Sequence, residues 1–189
     1  MGIREIRIPN SIKTIEKCSF YDCKTLTRES IPSTVTKIGP YAFFGCSSLN
    51  DISIPITVEN IGKSAFSECS SLTEIIIPPR MNTIEECCFY GCVQLSHISI
   101  PTSITKICRH SFYGCKSLQE INLPTSVISI EQSSFKECSL LSEIIFEEPT
   151  STQNIGKGTF ERCQNISSIS IPSSTICVDK KVFGYCSSL

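Results

Sequence analysis

Apolar residues recur along this chain at a fixed spacing of 23 residues. In one copy of the pattern the apolar positions are Phe43, Cys46, Leu49, Ile52 and Ile54, and a proline follows directly. The same order of residues starts again at three later positions, Phe66, Phe89 and Phe112. A period in the twenties is typical of a solenoid, in which each repeat forms one turn and packs only against its neighbours. We therefore predict one domain over residues 1–189, a solenoid of about eight repeats.

Each repeat holds two short runs rich in β-branched residues, for example residues 52–54 and 58–61. The runs alternate apolar and polar residues, as strands do when they face a core on one side. Pro55 ends the first run, because proline donates no hydrogen bond to a β-ladder. A repeat of this length is too short for a crossover helix, since a βαβ unit needs about 30 residues. We therefore expect a mainly β solenoid with a short helical or 3₁₀ turn over residues 42–49.

Two columns of the repeat keep one residue type throughout. The first column holds phenylalanine, at Phe20, Phe43, Phe66, Phe89, Phe112, Phe135, Phe160 and Phe183. The second holds cysteine, at Cys23, Cys46, Cys69, Cys92, Cys115, Cys138, Cys163 and Cys186. Equivalent residues of neighbouring turns should lie about 4.8 Å apart, the spacing of strands in a sheet. Cysteines that recur with the repeat, and never as C-x-x-C, indicate buried and reduced thiols rather than disulfides or a zinc site.

The pattern slips at two places. Glu29 stands where the skeleton requires the residue equivalent to Ile52, which predicts either a weak point in the core or an edge that faces solvent. The interval from Phe135 to Phe160 is 25 residues instead of 23. We expect the two extra residues to form an outward loop within residues 147–153.

The repeat pattern begins and ends inside a unit, with Ile3, Ile6 and Ile8 at one end and residues 186–189 at the other. Repeat arrays need polar terminal caps for solubility. This arrangement therefore predicts open solenoid ends, end-to-end self-association and a longer parent array.

Charge and composition narrow the function classes. The net charge is −1, and the chain has neither a basic run nor an apolar stretch of about 18 residues, so we expect no nucleic acid partner and no membrane insertion. The only histidines, His97 and His110, fall in different parts of the repeat, and the nearby Cys92 and Cys115 belong to the cysteine column. A Cys–His nucleophile is therefore not expected, and we predict no enzyme, no cofactor and no metal site.

The spacing of Leu49, Ile52 and Ile54, joined to the segment that runs from Ile31 to Gly39, closely resembles the BspA-like (Treponema-type) leucine-rich repeats. The resemblance implies a right-handed curved solenoid with a parallel sheet on its concave face. It also implies a surface or secreted protein of bacteria or protist parasites that adheres to host proteins. Hydroxyl residues fill the usual asparagine position, where they are expected to bond buried backbone groups: Ser11, Thr34, Thr57, Ser103, Ser126 and Ser174. Arg80 and Pro149 interrupt this column.

The concave face is the predicted binding surface. Two outward columns flank the second apolar residue of each first strand, and the partner-binding residues we infer from them are Glu5, Asp51, Glu74, His97, Glu120, Glu143, Ser53, Ser99 and Asn122. This composition indicates a shallow acidic surface for a basic, hydrogen-bonding protein or peptide; the alternative is a solvated face that keeps the protein soluble. A second possible surface is an aromatic row next to the phenylalanine column, formed by Tyr21, Phe44, Tyr90 and Tyr113.

The sequence is also compatible with two other functions. An intracellular leucine-rich-repeat scaffold is favoured by the unpaired thiols and by an N-terminus without a signal-peptide layout. Carbohydrate binding ranks lower, because the concave columns offer no aromatic platform. The compartment is therefore either the cell surface, as the resemblance implies, or the cytoplasm.

Overall fold

In the computed structural model, which describes residues 4–189, the chain coils into a parallel β-solenoid. Ile3 lies outside the described residues. The strands are β1 (Thr14–Ile15), β2 (Arg28–Ser30), β3 (Lys37–Ile38), β4 (Asp51–Ser53), β5 (Asn60–Ile61), β6 (Glu74–Ile76), β7 (Thr83–Ile84), β8 (His97–Ser99), β9 (Lys106–Ile107), β10 (Glu120–Leu123), β11 (Ser129–Ile130), β12 (Glu143–Phe146), β13 (Asn154–Ile155) and β14 (Cys177–Val178). Within residues 4–189 no helix is long and apolar enough to cross a membrane.

The strands form two series that alternate along the chain. The longer strands, which carry the concave face, pair as β2–β4, β6–β8 and β10–β12. The two-residue strands form a three-stranded sheet, β1–β3–β5, and a five-stranded sheet, β7–β9–β11–β13–β14. Every pair is parallel, and Glu74 faces His97 at the distance of one repeat. Ser129 instead faces Asn154, so the two extra residues lie between β12 and β13, as predicted.

The phenylalanine column forms a continuous ring stack through the core. Successive ring centroids lie 4.9–5.8 Å apart, with interplanar angles of 5–14°. The rings from Phe43 to Phe160 are fully buried, whereas Phe20 and Phe183 at the two ends are partly exposed. Near-parallel rings at this spacing gain stacking energy beyond the area that they bury. The stack explains why this column keeps one residue type.

The expected helical or 3₁₀ turn over residues 42–49 is wrong. The arm that carries the phenylalanine contains two left-handed residues four positions apart, such as Tyr41 (φ 58°) and Gly45 (φ 70°), and each of them interrupts a right-handed helix. Its amides also alternate in direction. The Phe44 amide bonds back to the Tyr41 carbonyl at 3.2 Å, whereas the Phe43 amide donates to the Ala65 carbonyl of the next turn at 2.8 Å. Every second amide therefore donates its hydrogen bond to the next turn. In a helix, each amide would instead bond to a carbonyl of the same segment.

The predicted hydroxyl column bonds the backbone between turns. Thr34 Oγ1 donates to the Ile12 carbonyl at 2.7 Å, and Ser126 Oγ donates to the Ile104 carbonyl at the same distance. Thr57 makes the equivalent bond at 2.9 Å. These side chains satisfy carbonyl groups inside the turn, as an asparagine ladder would.

The two interruptions of this column have different outcomes. At Arg80 the ladder of short strands breaks between β5 and β7, and Ser103 Oγ in the following turn is buried without a hydrogen-bond partner. At Pro149 the ladder continues, and Thr152, which lies in the adjacent buried column, supplies the missing bond by donating its hydroxyl to the Val127 carbonyl at 2.8 Å. The insertion therefore preserves the bond that the Arg80 turn loses.

Glu29 is buried, so the expectation of a solvent-facing edge at this position is wrong. Only 2% of the residue is exposed, and it faces Ile52 across the β2–β4 pair. One carboxylate oxygen accepts the Ser30 amide at 3.1 Å, and the other has no partner. Burial raises the pKa of Glu29, and the nearby Glu5 carboxylate also contributes to the rise. The core therefore contains one poorly satisfied carboxyl group.

We expect Phe89→Ala to lower the free energy of unfolding by about 3–5 kcal/mol, because the ring is fully buried between Phe66 and Phe112. The measurement is denaturant unfolding followed by circular dichroism. Phe20→Ala is the matched control: this ring is partly exposed and stacks on Phe43, so its loss should be clearly smaller. Equal losses at the two positions would contradict the role given to the interior stack.

Replacing Glu29 should change how stability depends on pH. Because the folded-state pKa is raised above the ordinary value of 4.5, the native state holds the proton more tightly, and stability falls as pH rises from that value through the folded-state pKa. Glu29→Gln should remove this fall, and Glu29→Ile should remove it and add about 1–3 kcal/mol at neutral pH by eliminating an unsatisfied buried group. The measurement is chemical unfolding at a series of pH values. If the wild type and Glu29→Gln show the same dependence, this carboxyl group is not the cause.

Candidate functional site

The concave face presents two columns of exposed side chains. The second residue of each long strand points into the solenoid, while the residues on either side of it point outward. The first column contains Glu5, Arg28, Asp51, Glu74, His97, Glu120, Glu143 and Ser168, and all of these are exposed. The second contains Arg7, Ser30, Ser53, Ile76, Ser99, Asn122, Ile145 and Ser170, which are also exposed. The structure therefore brings the residues of the predicted surface together on one face.

The acidic character of this face is concentrated in its later turns. Asp51 is already paired with Arg28, with 3.0 Å between the guanidinium Nε and the carboxylate. In the described part of the chain, Glu74, Glu120 and Glu143 make no salt bridge, and Glu120 faces Glu143 directly across the β10–β12 pair. Like charges opposite each other on neighbouring strands repel. The unpaired carboxylates therefore leave a negative potential that a cation relieves.

A shallow depression lies at the centre of the face. Its volume is about 210 Å³, and its polar lining includes Glu74, His97, Ser99, Glu120 and Asn122. The same depression is lined by an apolar side chain that is 76% exposed, that of Ile76. The centre of the face thus combines carboxylates, hydrogen-bonding groups and an exposed apolar residue.

The inserted loop also reaches this face, which the sequence analysis did not predict. Asn122 Nδ2 donates to Glu147 Oε1 at 2.8 Å. The amide nitrogen of one predicted binding residue is therefore engaged inside the protein. No periodic signal could have predicted this bond, because Glu147 lies in the segment that departs from the repeat.

The second predicted surface is not a continuous row. Tyr21 stacks on Phe44 at 4.9 Å, and Tyr90 stacks on Tyr113 at 5.0 Å, but the buried Ser67 separates the two pairs. Only Tyr21 is half exposed among the four rings, and the others are partly buried. These aromatic residues are thus two short stacks beside the core.

Tyr113 is held in place by a polar contact. Its hydroxyl donates to Glu137 Oε1 at 2.9 Å. Burial raises the pKa of this hydroxyl to about 12, and the bond to the carboxylate adds to the rise. The phenol therefore stays protonated and acts as a donor within the arm.

The cysteine column is hydrogen-bonded as well as buried. Each thiol from Cys46 to Cys186 donates to the phenylalanine carbonyl of the preceding turn at 3.1–3.3 Å. The Phe20 carbonyl, for example, accepts both the Cys23 amide and the Cys46 thiol. Burial raises the pKa of Cys46 to about 12 and raises that of Cys69 well above its ordinary value. These thiols are unreactive structural donors.

The sequence analysis did not identify one cysteine and one histidine that occupy equivalent positions in consecutive turns. Cys87 and His110 occupy the same left-handed position of consecutive turns, with φ angles of 54° and 57°. Burial and Glu86 raise the pKa of the Cys87 thiol, whereas burial and Arg109 lower the pKa of His110. Both shifts disfavour a thiolate–imidazolium pair. Among residues 4–189, moreover, no group of three or more His, Cys, Asp or Glu side chains is arranged to hold a metal ion.

Thiol labelling tests the assignment of the cysteine column. In the folded protein the exposed Cys18 and Cys177 should react with a small disulfide reagent within minutes. The buried Cys69, Cys92 and Cys115 should react only after unfolding, because they are covered and their pKa values are raised. Mass spectrometry of the labelled peptides identifies each site. Rapid labelling of the buried column, or a disulfide between two of its members, would contradict the assignment.

The comparisons with known proteins agree with this geometry. The family model for the BspA type leucine-rich repeat region matches residues 1–118 and 82–189. The crystal structure of a leucine-rich repeat protein from T. pallidum (TpLRR) matches 87% of this chain and 78% of that one, with 30% identity and a TM-score of 0.80. A leucine-rich repeat protein from Bacteroides ovatus matches 92% of this chain and 55% of that one, with 26% identity and a TM-score of 0.65.

A third structure shares the fold. It is a leucine-rich cell surface protein from Faecalibacterium prausnitzii, and it matches 99% of this chain and 78% of its own, with 21% identity and a TM-score of 0.52. No curated protein matches the sequence significantly. The repeat motif, the solenoid and the family model agree, and the chain belongs to the BspA-type leucine-rich repeat family.

Proposed function

We propose that this chain is a non-enzymatic module that binds a basic protein or peptide through its concave face. Its repeat family suggests a protein-interaction module, and proteins built from such repeats are generally non-enzymatic. The observation that carries the proposal is the set of exposed, unpaired carboxylates of Glu74, Glu120 and Glu143 on one face. A partner with lysine or arginine at matching positions removes the repulsion between these carboxylates and gains affinity.

The centre of the face supplies the rest of the recognition surface. The exposed Ile76 offers an apolar contact beside Glu74, and Ser99 and Asn122 offer hydrogen-bonding groups. Protein interfaces commonly combine such an apolar centre with polar groups around it. The concave columns contain no Phe, Tyr or Trp, and this supports a protein or peptide rather than a carbohydrate as the partner. A nucleic acid partner and direct membrane insertion are both disfavoured by the acidic face.

We further propose that the module belongs to an adhesin-like surface protein that binds host or matrix proteins. The cell surface protein from Faecalibacterium prausnitzii supports this placement only through its shared fold. An intracellular scaffold is the second candidate, and the thirteen free cysteines favour it, since exposed thiols such as Cys18 oxidise readily outside the cell. End-to-end self-association and a single array over residues 1–189 remain part of the proposal.

Charge removal on the concave face tests the proposed function. The probe is a synthetic lysine-rich peptide, with its glutamate counterpart as the negative control. The double variant Glu74→Gln with Glu120→Gln should weaken binding about 2- to 30-fold and flatten its salt dependence, because each exposed charge pair contributes about 0.2–1 kcal/mol. Isothermal titration calorimetry at several salt concentrations provides the measurement.

The matched control carries the same change of charge away from this face, at the exposed Glu16 and Glu68, both changed to Gln. It should bind the peptide like the wild type. If the two double variants weaken binding equally, the attraction is a property of net charge. The concave face is then not the recognition surface.

A further inference from the structure

A groove opens on the concave face beside β12. Its volume is about 680 Å³, compared with about 210 Å³ for the depression at the centre of the face. Strand β12 forms one wall, and residues 168–173 form the other. Residues 168–170 hold the outward positions of the next repeat, but they form no strand in the structure. The groove therefore lies where the ladder of long strands stops.

The backbone of β12 is free on the side that faces the groove. The amides of Glu143 and Glu147 donate towards β10, to the carbonyls of Gln119 and Leu123, at 3.3 and 3.0 Å. Because backbone groups alternate in direction along a strand, those of Ile144 and Phe146 point the other way, into the groove. Among the described residues, no backbone hydrogen bond joins β12 to residues 168–171. The strand thus offers an unpaired parallel edge.

The open core distinguishes this gap from the other interruptions of the ladder. Strands β4 and β6 are also unpaired, as are β8 and β10. At those joints Ile54 and Ile98 before the gap are partly buried, but the inner residues after it are closed over: Ile75, Ile77, Ile121 and Leu123 are at most 3% exposed. Along the groove the inner residues Ile144, Phe146 and Ile169 are only partly buried, and Ile171 is 45% exposed. At this groove, therefore, inner residues on both sides of the gap are accessible.

The two-residue insertion lies at the edge of this groove. It follows β12 directly, and Glu148 within it lines the groove. The loop is anchored at both ends, by the bond from Asn122 to Glu147 and by the bond from Thr152 to the Val127 carbonyl. The insertion is therefore a fixed part of the groove wall.

The chemistry of the lining defines the occupant. The floor is apolar, one wall is an unpaired strand edge, and the lining includes the carboxylates of Glu143 and Glu148 but no basic side chain. We infer that an extended segment of a partner protein adds to β12 as a further strand, with valine or isoleucine facing the floor and lysine or arginine facing outward. Strand addition to a free edge gives affinity through main-chain bonds and specificity through alternate side chains. This inference rests on the proposed function and identifies the segment that the concave face recognises.

Selection from a displayed library of random nonapeptides, with the intact chain as bait, provides the test. The enriched peptides should alternate β-branched with basic residues. N-methylation of alternate amides in such a peptide should abolish binding, because it removes the donors that pair with β12. On binding, the amides of Ile144 and Phe146 should become more protected from hydrogen exchange. Failure to enrich any such peptide would overturn the inference.

Two double variants separate this inference from the proposed function. Glu143→Gln with Glu148→Gln should weaken binding of the selected peptide by about tenfold, since both carboxylates line the groove. Glu74→Gln with Glu120→Gln, which line the central depression and not the groove, should weaken it less, and the control Glu16→Gln with Glu68→Gln should leave it unchanged. If Glu74→Gln with Glu120→Gln weakens binding more than the groove variant does, the concave face binds basic peptides but the groove is not the site. If the groove variant has no effect, the inference fails, and a dimer that protects Ile144 and Phe146 without peptide would show that a second copy occupies the edge.

Discussion

The solenoid depends on the contact that the phenylalanine arm of each turn makes with the arm of the next. From Phe20 to Phe160 every ladder phenylalanine donates its amide to the following turn at 2.7–3.0 Å, and its ring stacks on the next ring. The ring spacing of 4.9–5.8 Å is close to the strand spacing of about 4.8 Å. One residue type therefore satisfies the backbone and the core at once, and the cysteine thiol uses the remaining acceptor site of the phenylalanine carbonyl.

This continuous arm allows the opposite side to be irregular. The long strands pair only in twos, Glu29 sits buried in the first pair, and the chain gains two residues after β12 without losing the ring stack between Phe135 and Phe160. In a one-dimensional array each turn is held by its two neighbours. The side formed by the long strands contributes least to the contacts between turns, so its sequence and structure can vary most. The same side carries the exposed carboxylates and the groove.

Periodicity was sufficient to predict what repeats, namely the parallel solenoid, its 23-residue register, the buried columns and the outward face. It failed where the chain departs from the average turn. The arm was misassigned because left-handed positions are filled by residues as different as Tyr41, Cys87 and Lys181, which carry no common signal. The burial of Glu29 and the rescue of the hydroxyl column by Thr152 depend on neighbours in space. The groove beside β12 could not be predicted either, because residues 168–170 keep the repeat pattern and yet form no strand.

Native-state hydrogen exchange, followed by NMR amide by amide, tests most directly whether the arms hold the turns together. We predict that the amides of Phe66, Phe89 and Phe112 are among the slowest to exchange, since each is buried and bonded to the next turn. Amides at the unpaired joints between long strands, such as that of Ile54 directly after β4, should exchange much faster. The opposite order, with protected long strands and rapidly exchanging phenylalanine amides, would contradict this prediction.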